Sequence, residues 1–316
     1  MRAPGFWQQD GLLPALLAPA AALWAAAATR RAARPGWRAP VPVICCGNAT
    51  VGGAGKTTLA LDLGARLRQR GRAVAFLTRG YGGRVTGVLR VDPARHDAAL
   101  VGDEPLLLAA VAPTYVAADR AAGARAAIAQ GADVLVMDDG LQNPTLAKDL
   151  ALLTIDGAGG FGNGRVLPAG PLREPLAAAA SRCQAAVLIG ADCTGALARL
   201  PPALPVLRAD LVAADHDLAG QRVAAFAGIA RPEKFFASLA AAGAEVVQAT
   251  GFPDHHRFTA DELAALLAGA ARRGARPVTT RKDAVRLPPA LRDRVAVFAV
   301  RLAWQDPDTI ERLLIP

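Results

Sequence analysis

The sequence predicts an α/β protein with a mostly parallel sheet, helices on both faces of that sheet, and a second, smaller α/β domain. Three observations support this class. Short apolar runs alternate with amphipathic stretches along most of the chain, which is typical of parallel strands joined by helices. A glycine-rich loop, "GGAGKTT", stands between the first of these strands and the first of these helices. A proline-rich break, "LPPALP", then separates two regions that both alternate in this way.

The N-terminal region predicts a membrane-associating helix within residues 1–38. An uncharged stretch runs from Leu12 to Thr29, and four arginines follow it, at Arg30, Arg31, Arg34 and Arg38. A spanning helix needs roughly 20 strongly apolar residues, whereas this stretch is mostly alanine with two prolines, so shallow insertion into the bilayer surface is equally compatible. A buried helix and a cleaved signal peptide are further alternatives. In either membrane arrangement the arginines place the following chain in the cytoplasm.

The glycine-rich loop, between the strand "VPVICC" and the helix "TTLALDLGARLRQRG", predicts a phosphate-binding loop of the P-loop NTPase type. Glycines allow backbone N–H groups to turn toward an anion, a lysine reaches the outer phosphates, and a hydroxyl ligates Mg²⁺. One departure is Thr50, where the strict pattern has glycine. The candidate nucleotide-binding residues are Thr50, Val51, Gly52, Gly53, Ala54, Gly55, Lys56 and Thr57.

Two acidic pairs follow in the next strands and helices. Asp138 and Asp139 end the apolar run "VLVM", where a Walker B carboxylate would reach Mg²⁺ held by Thr57. A solvated turn is the alternative for this pair. Asp103 and Glu104, in "VGDEP", open a helix, and this position also suits a simple N-terminal cap.

The C-terminal region offers further candidates for chemistry. His255 in "GFPDHHRF" could act as a general base or as the partner of one, and spacing alone does not separate it from His256 or from an exposed loop histidine. The segment "RKDAVRL" brings Arg281 and Lys282 to the start of a helix, where they either contact phosphate or lie in solvent.

The charge balance is basic, with a net charge of +9, and only four of the 36 basic residues are lysines. Arginine suits phosphate contacts and anionic surfaces, although a GC-rich genome explains the same bias. A nucleic-acid partner is disfavoured because aromatic residues are only 5% of the chain and no basic run is interleaved with them.

Eight blocks in order resemble the tetraacyldisaccharide 4'-kinase family, the lipid A 4'-kinases. They are "GNATVGGAGKTT", "TRGYGGR", "VGDEP", "DDGLQN", "GNGRVLPAGPLREP", "AFAGIARPEKFF", "FPDHHRF" and "TRKDAVRL". The resemblance covers essentially the whole chain. It implies an inner-membrane enzyme, with its domains on the cytoplasmic side, that uses ATP and Mg²⁺ to phosphorylate the 4'-hydroxyl of an acylated disaccharide 1-phosphate. It also implies a P-loop core at 39–204, a two-stranded linker at 205–222 and a smaller α/β domain at 223–316.

The resemblance also assigns roles to residues. The catalytic aspartate falls on Asp103, its partner histidine on His255, and the metal-binding acids on Asp138 and Asp139. Arg173 and Glu174 match the family's "REP", and Lys282 lies in a further matching block. Arg79 and Arg84 are candidates, on charge alone, for contacts with the 1-phosphate and the anionic surface. Three departures from the family pattern are Thr58 for proline, Asn143 for histidine and Arg281 for an acid.

Two other functions are compatible with a glycine-rich loop of this kind. A membrane-cycling regulatory ATPase of the partitioning type has a similar loop but needs a leading lysine, where this chain has Val51. A GTPase-like switch is disfavoured because no NKxD motif is present. No obligate protein partner is inferred. ATP turnover that depends on a disaccharide acceptor would distinguish a kinase from both alternatives.

Overall fold

The computed structural model describes residues 4–214 and 218–314, and it contains two sheets. The larger sheet consists of β1 (Val43–Gly47), β2 (Val74–Thr78), β3 (Val88–Arg90), β4 (Thr114–Ala117), β5 (Val134–Asp138), β6 (Leu150–Asp156), β7 (Ala185–Ile189), β8 (Val206–Ala213) and β13 (Val300–Trp304). The smaller sheet consists of β9 (Arg222–Ala227), β10 (Glu245–Gly251), β11 (Arg276–Thr280) and β12 (Ala296–Phe298).

Helices connect most of these strands. They are α1 (Leu12–Leu16), α2 (Ala18–Ala32), α3 (Lys56–Gln69), α4 (Ala98–Val101), α5 (Asp103–Ala109), α6 (Arg120–Ala129), α7 (Leu176–Ala180), α8 (Pro232–Ala241), α9 (Ala260–Arg272), α10 (Arg281–Ala284), α11 (Pro289–Arg292) and α12 (Pro307–Leu313). Short 3₁₀ helices cover Gly5–Trp7 and Ala196–Arg199.

The larger sheet has the strand order β13-β8-β7-β6-β1-β5-β2-β4-β3, and only its two edge strands, β13 and β3, run antiparallel to their neighbours. The predicted α/β class with a mostly parallel sheet is therefore confirmed. All five residues of β1 are buried, because helices cover both faces of a parallel sheet. In the register of β1 with β5, Cys46 stands opposite Asp138. The phosphate loop and the acidic pair consequently emerge side by side at the carboxyl end of the sheet.

Helix α3 packs on the sheet through an apolar face with helical spacing. Its fully buried leucines recur every four residues, at Leu59, Leu63 and Leu67. Gly64 lies on the same face, where a Cβ would come within 2.3 Å of the Phe76 ring. This close approach sets the distance between α3 and β2, and it fixes the helix that carries the phosphate loop.

Three parts of the larger sheet differ from the sequence prediction, and the first is the short edge strand β3, which was not predicted. Strand β7, "AAVLI", was not predicted, although all five of its residues are buried. Strand β13 and helix α12 fall within the predicted C-terminal domain at 223–316, but they pack on the larger sheet instead. Strand β13 pairs with β8. Without β13, strand β8 would be an open edge of the larger sheet. Trp304 and Ile310 then join the buried cluster that contains the α3 leucines.

The N-terminal helices lie on the surface and expose apolar side chains, including Leu12 (86% exposed), Leu16 (77%) and Leu23 (76%). Two indole groups attach this region to the loop that precedes α7. Trp7 Nε1 donates to the carbonyl oxygen of Pro168 at 3.1 Å, and Trp24 Nε1 donates to that of Arg173 at 2.9 Å. Across residues 4–214 and 218–314, no helix has the length and hydrophobicity that crossing a bilayer requires.

We refer to residues 218–298, which hold the smaller sheet, as the C-terminal lobe. Its four strands are parallel, in the order β10-β9-β11-β12. Buried clusters cover both faces, one around Phe235 and Leu239 and the other around Phe226 and Phe258. Across from this lobe, Asp156 at the carboxyl end of β6 lies 2.7 Å from Lys234 Nζ and also pairs with Arg231.

Candidate active site

The phosphate loop is shaped by Gly55, which precedes the first residue of α3. Its φ of 84° lies in the left-handed region, and a Cβ there would come within 2.6 Å of Ile189 Cδ1. The left-handed φ is the reason that this position requires glycine, since Ile189 Cδ1 is the end of a flexible side chain and can shift aside. The adjacent turn leaves Lys56 as the first helical residue, with its side chain directed back over the loop toward Asn48 and Asp139.

Lys56 is 8% exposed and lies among oxygen atoms. Its Nζ donates to Asn48 Oδ1 at 3.0 Å and lies 3.6 Å from Asp139 Oδ1. Burial lowers the pKa of Lys56, and the charge of Asp139 opposes this effect. A cation held this way can leave its protein partners for phosphate oxygens with little loss, since its surroundings already favour contact with anionic oxygen.

Asp138 and Asp139 have different environments although they are adjacent in sequence. Asp138 Oδ2 accepts a hydrogen bond from Thr57 Oγ1 at 2.8 Å. Burial and the neighbouring Asp139 charge raise the pKa of Asp138 to about 7. Burial also acts to raise the pKa of Asp139, but the charges of Lys56 and Arg173 outweigh it and the net pKa is lowered. Asp139 also has a positive φ of 54°, which is rare outside glycine and tends to occur at functional sites.

The donor set around Asp138 fits a magnesium ion. Asp138 Oδ1 is buried and has no hydrogen-bond partner within the described ranges, so it offers an oxygen ligand beside the Thr57 hydroxyl. No cluster of three or more His, Cys, Asp or Glu side chains suited to a metal occurs in the described part of the chain. In Mg²⁺ sites of nucleotide-binding proteins, one or two protein oxygens are completed by phosphate and water, and the Thr57 hydroxyl with Asp138 Oδ1 supplies two such oxygens.

A second constellation joins α5 to the C-terminal lobe. Asp103, the first residue of α5, is 5% exposed. His255 Nδ1 lies 2.8 Å from Asp103 Oδ2, and His255 also has a positive φ, of 59°. Burial acts to raise the pKa of Asp103, but the hydrogen bond from His255 and the charge of Arg286 outweigh it, so the net pKa is lowered. Asp103 is therefore an ionised carboxylate at neutral pH.

Lys282 and Glu104 connect this constellation to the phosphate loop. Lys282 Nζ lies 2.9 Å from Glu104 Oε1 and 3.4 Å from His255 Nε2. Helix α5, which begins with Asp103 and Glu104, packs against α3, whose first residue is Lys56.

The remaining predicted residues divide into two groups. Arg173 Nη1 donates to Asp139 Oδ1 at 2.7 Å, and Glu174 is fully buried with both carboxylate oxygens on Arg182, at 2.6 and 2.7 Å. The structure thus brings Arg173 to the acidic pair and gives Glu174 a supporting position behind it. Arg79 and Arg84 are exposed on the loop after β2, and the structure does not bring their side chains to the acidic pair.

Sequence reasoning missed several residues of the site. Asn48 holds Lys56, and Gln142 donates to both the Asn48 carbonyl and Glu174 Oε1, each at 2.9 Å. Both residues stood inside the quoted family blocks, which was the available signal. Asn143, which replaces the family's usual histidine, accepts hydrogen bonds from Thr145 and stabilises a turn.

The two adjacent histidines have different contacts. His256 Nε2 lies 3.0 Å from Glu262 Oε2, and its ring stacks on Phe252 with centroids 4.6 Å apart. These are packing contacts within the C-terminal lobe. Of the two, His255 is the one that reaches Asp103.

A phosphate loop, an acidic pair beside its threonine, and a carboxylate on α5 that meets a histidine of the C-terminal lobe together define a P-loop phosphotransferase. The model of one family, tetraacyldisaccharide-1-P 4'-kinase (LpxK), matches residues 13–315. The chain belongs to this family.

Relatives and a solved structure agree with this assignment. The tetraacyldisaccharide 4'-kinase of Gluconacetobacter diazotrophicus is 63% identical over 99% of this chain and 97% of its own length. That of Rhodospirillum centenum is 59% identical over 100% of this chain and 96% of its own length. A crystal structure of "apo" form LpxK from Aquifex aeolicus in complex with ATP superimposes with a TM-score of 0.76 at 26% identity, covering 96% of this chain and 98% of that one. The sequence-based family assignment is confirmed, and the partitioning-type ATPase is not supported.

Proposed function

We propose that this chain transfers the γ-phosphoryl group of ATP to the 4'-hydroxyl of a tetraacyldisaccharide 1-phosphate, a lipid A precursor, with Mg²⁺ as cofactor. The observation that carries this proposal is the 2.8 Å contact between His255 and Asp103, formed across the cleft beside the phosphate loop. Such a pair suits an enzyme that must take a proton from an alcohol.

In the proposed mechanism the phosphate loop and Lys56 bind the triphosphate. Lys56 exchanges its contacts with Asn48 and Asp139 for phosphate oxygens. Arg173 stays near the acidic pair and balances its charge. Because the transition state of phosphoryl transfer needs little covalent help, positioning and charge stabilisation supply most of the catalysis.

Asp103 orients the sugar hydroxyl and accepts its proton late in the transfer. Its lowered pKa keeps it ionised and ready, but it also makes Asp103 a weak base toward an alcohol. His255 therefore holds the carboxylate and shares the proton. Lys282, which contacts Glu104 and approaches His255, adds positive charge where the phosphoryl group passes.

Magnesium would be held by Thr57 and the acidic pair, with Asp138 Oδ1 as the available oxygen. When bound, the ion neutralises charge on the phosphate oxygens.

The exposed leucines of α1 and α2, together with the arginines after Thr29, support contact with the cytoplasmic leaflet of the inner membrane. An acylated substrate cannot leave the bilayer easily, since each buried methylene contributes about 0.8 kcal/mol. The surface position of these helices and their exposed leucines support insertion into the interface. Arg79 and Arg84 remain candidates for contact with the substrate's 1-phosphate or with anionic lipid.

The proposed function is tested by incubating the protein with ATP, Mg²⁺ and a tetraacyldisaccharide 1-phosphate in mixed micelles. We expect ADP release to depend on the acceptor, and mass spectrometry to find one added phosphate on the lipid. ATP hydrolysis of equal rate without the acceptor would contradict a kinase.

A further inference from the structure

The C-terminal lobe approaches the Asp103 carboxylate with two side chains, of which His255 is only one. The second is Arg286, two residues after α10. Its Nε lies 2.9 Å from Asp103 Oδ2, and its side chain is 3% exposed. The spacing of the motif "TRKDAVRL" gave no indication of this contact.

Arg286 is fixed within its own lobe. Its Nη1 donates to the carbonyl oxygens of Gly228 at 3.1 Å and His256 at 3.0 Å, and it lies 3.2 Å from Asp283 Oδ1. Asp283 is fully buried and accepts from the Gly228 backbone at 2.9 Å and from Thr280 Oγ1 at 2.6 Å. The guanidinium is therefore held in place by the lobe, independently of Asp103.

The contact with Asp103 acts through charge. Arg286 Nε is close to Asp103 Oδ2 but is not aligned as a hydrogen-bond donor to it. The charged or titratable groups that face Asp103 are His255, Arg286 and Lys282, and Glu104 is its neighbour in sequence. An opposite charge at this distance favours the ionised form of a buried carboxylate. Of these three, Arg286 is the one that is always charged and almost fully shielded from solvent.

We propose that Arg286 is a positioning residue for phosphoryl transfer, which holds Asp103 ionised and correctly oriented whenever the C-terminal lobe rests against α5. This inference rests on the proposed role of Asp103 as the group that takes the hydroxyl proton. Arg286 acts through Asp103 and contacts neither the nucleotide nor the acceptor. Catalytic competence thereby depends on contact between the lobe and α5.

The test compares Arg286→Met, which removes the charge, with Arg286→Lys, which keeps it. The matched control is Arg292→Met, since Arg292 caps carbonyl groups in the same lobe and has no contact with Asp103. We expect Arg286→Met to lower kcat about 10²-fold, the usual cost of misplacing a catalytic group, with KM for ATP unchanged. Arg286→Lys should recover part of that loss, and Arg292→Met should behave as the parent enzyme.

Two readouts separate positioning from a purely structural role. Without Arg286 the pKa of Asp103 rises, so the acidic limb of the kcat profile should move to higher pH. In an Asp103→Asn background, Arg286→Met should then add almost no further loss, because residues that act as a unit are not additive. Should Arg286→Met not fold, as judged by circular dichroism, Arg286→Gln in both backgrounds carries the same comparison, because it also removes the charge but keeps a donor for the Gly228 and His256 carbonyl oxygens.

Fully additive losses, or an unmoved acidic limb in a folded variant, would overturn the role of Arg286. A different result signals failure of the underlying function. If Asp103→Asn alone retains full kcat, the role of Asp103 itself is wrong.

Discussion

Replacing Asp103 by asparagine tests the centre of the proposed site, because the change removes one charge and keeps the shape of the side chain. In the enzyme this carboxylate faces His255 and Arg286 and is 5% exposed. We expect kcat to fall on the order of 10²-fold or more, the usual contribution of a positioned acid–base group. That loss corresponds to about 2.7 kcal/mol of transition-state stabilisation.

The same change should also destabilise the protein. Removing one partner of a buried ion pair costs about 3–5 kcal/mol when the other charge is left alone. Here Arg286 keeps Asp283 at 3.2 Å, so we expect a smaller loss, of about 1–3 kcal/mol. Since the folded-state pKa of Asp103 is lowered, this stabilisation is present above the unfolded pKa of roughly 3.9. It is lost as pH falls through the folded-state value, so the parent and the variant should converge in acid.

Three measurements decide this prediction: steady-state phosphorylation of the lipid acceptor, calorimetric binding of a non-hydrolysable ATP analogue, and urea unfolding at neutral and acidic pH. The matched control is Asp133→Asn. Asp133 precedes β5, at the end of that strand away from Asp138, and its half-exposed pair with Arg72 contributes little. The reasoning is refuted if Asp103→Asn retains kcat within a factor of two. It also fails if ATP affinity falls in parallel with kcat, since Asp103 would then bind nucleotide.

Further changes probe the loop, its support and the N-terminal surface. Gly55→Ala should abolish ATP binding and destabilise the protein by about 1–2 kcal/mol, because it adds left-handed strain and a clash with Ile189. Thermal unfolding measures the loss of stability and calorimetry measures ATP binding. Normal ATP affinity would contradict this prediction. Glu174→Gln should cost about 1–3 kcal/mol of stability, because it removes the charge partner of Arg182, which is partly exposed and keeps its bond to the Ala178 carbonyl oxygen. Urea unfolding measures this loss, and an unchanged midpoint would show that the pair is dispensable. Exchanging three exposed leucines, Leu12, Leu16 and Leu23, for glutamate should reduce sedimentation with anionic vesicles while ATP binding is unchanged. Undiminished sedimentation would exclude this surface as the membrane contact.

The sequence predicted those parts of the fold whose signals are local. The strand, glycine loop and helix around Lys56 follow in the required order, and the apolar run before Asp138 ends where β5 ends. Strand β7 was missed because "AAVLI" is short and lies in an alanine-rich region where strand and helix patterns are not distinguished. The pairing of β13 with β8 depends on contacts between distant segments, and spacing carries no information about these.

The candidate site, like the fold, has parts that local sequence signals predict and parts that they do not. The phosphate loop could be inferred from residue chemistry alone, whereas the Asp103–His255 pair came from the family resemblance. Nothing in "TRKDAVRL" indicated that Arg286 rather than Lys282 would reach Asp103. Arg286 faces this carboxylate because two lobes meet, and a contact between lobes has no local signature. The support given by Asn48 and Gln142 was missed for a related reason, since neutral amides are common and their partners are set by the folded loop.

The hydrogen bond from Trp24 to the carbonyl of Arg173 has a geometric consequence. Arg173 is also the residue whose guanidinium reaches Asp139, so helix α2 and the phosphate-transfer centre are joined through a single residue. If α2 lies in the bilayer surface, as proposed, these two bonds relate the height of that centre to the lipid surface. Such an arrangement would select lipids by how far their sugar projects from the membrane plane.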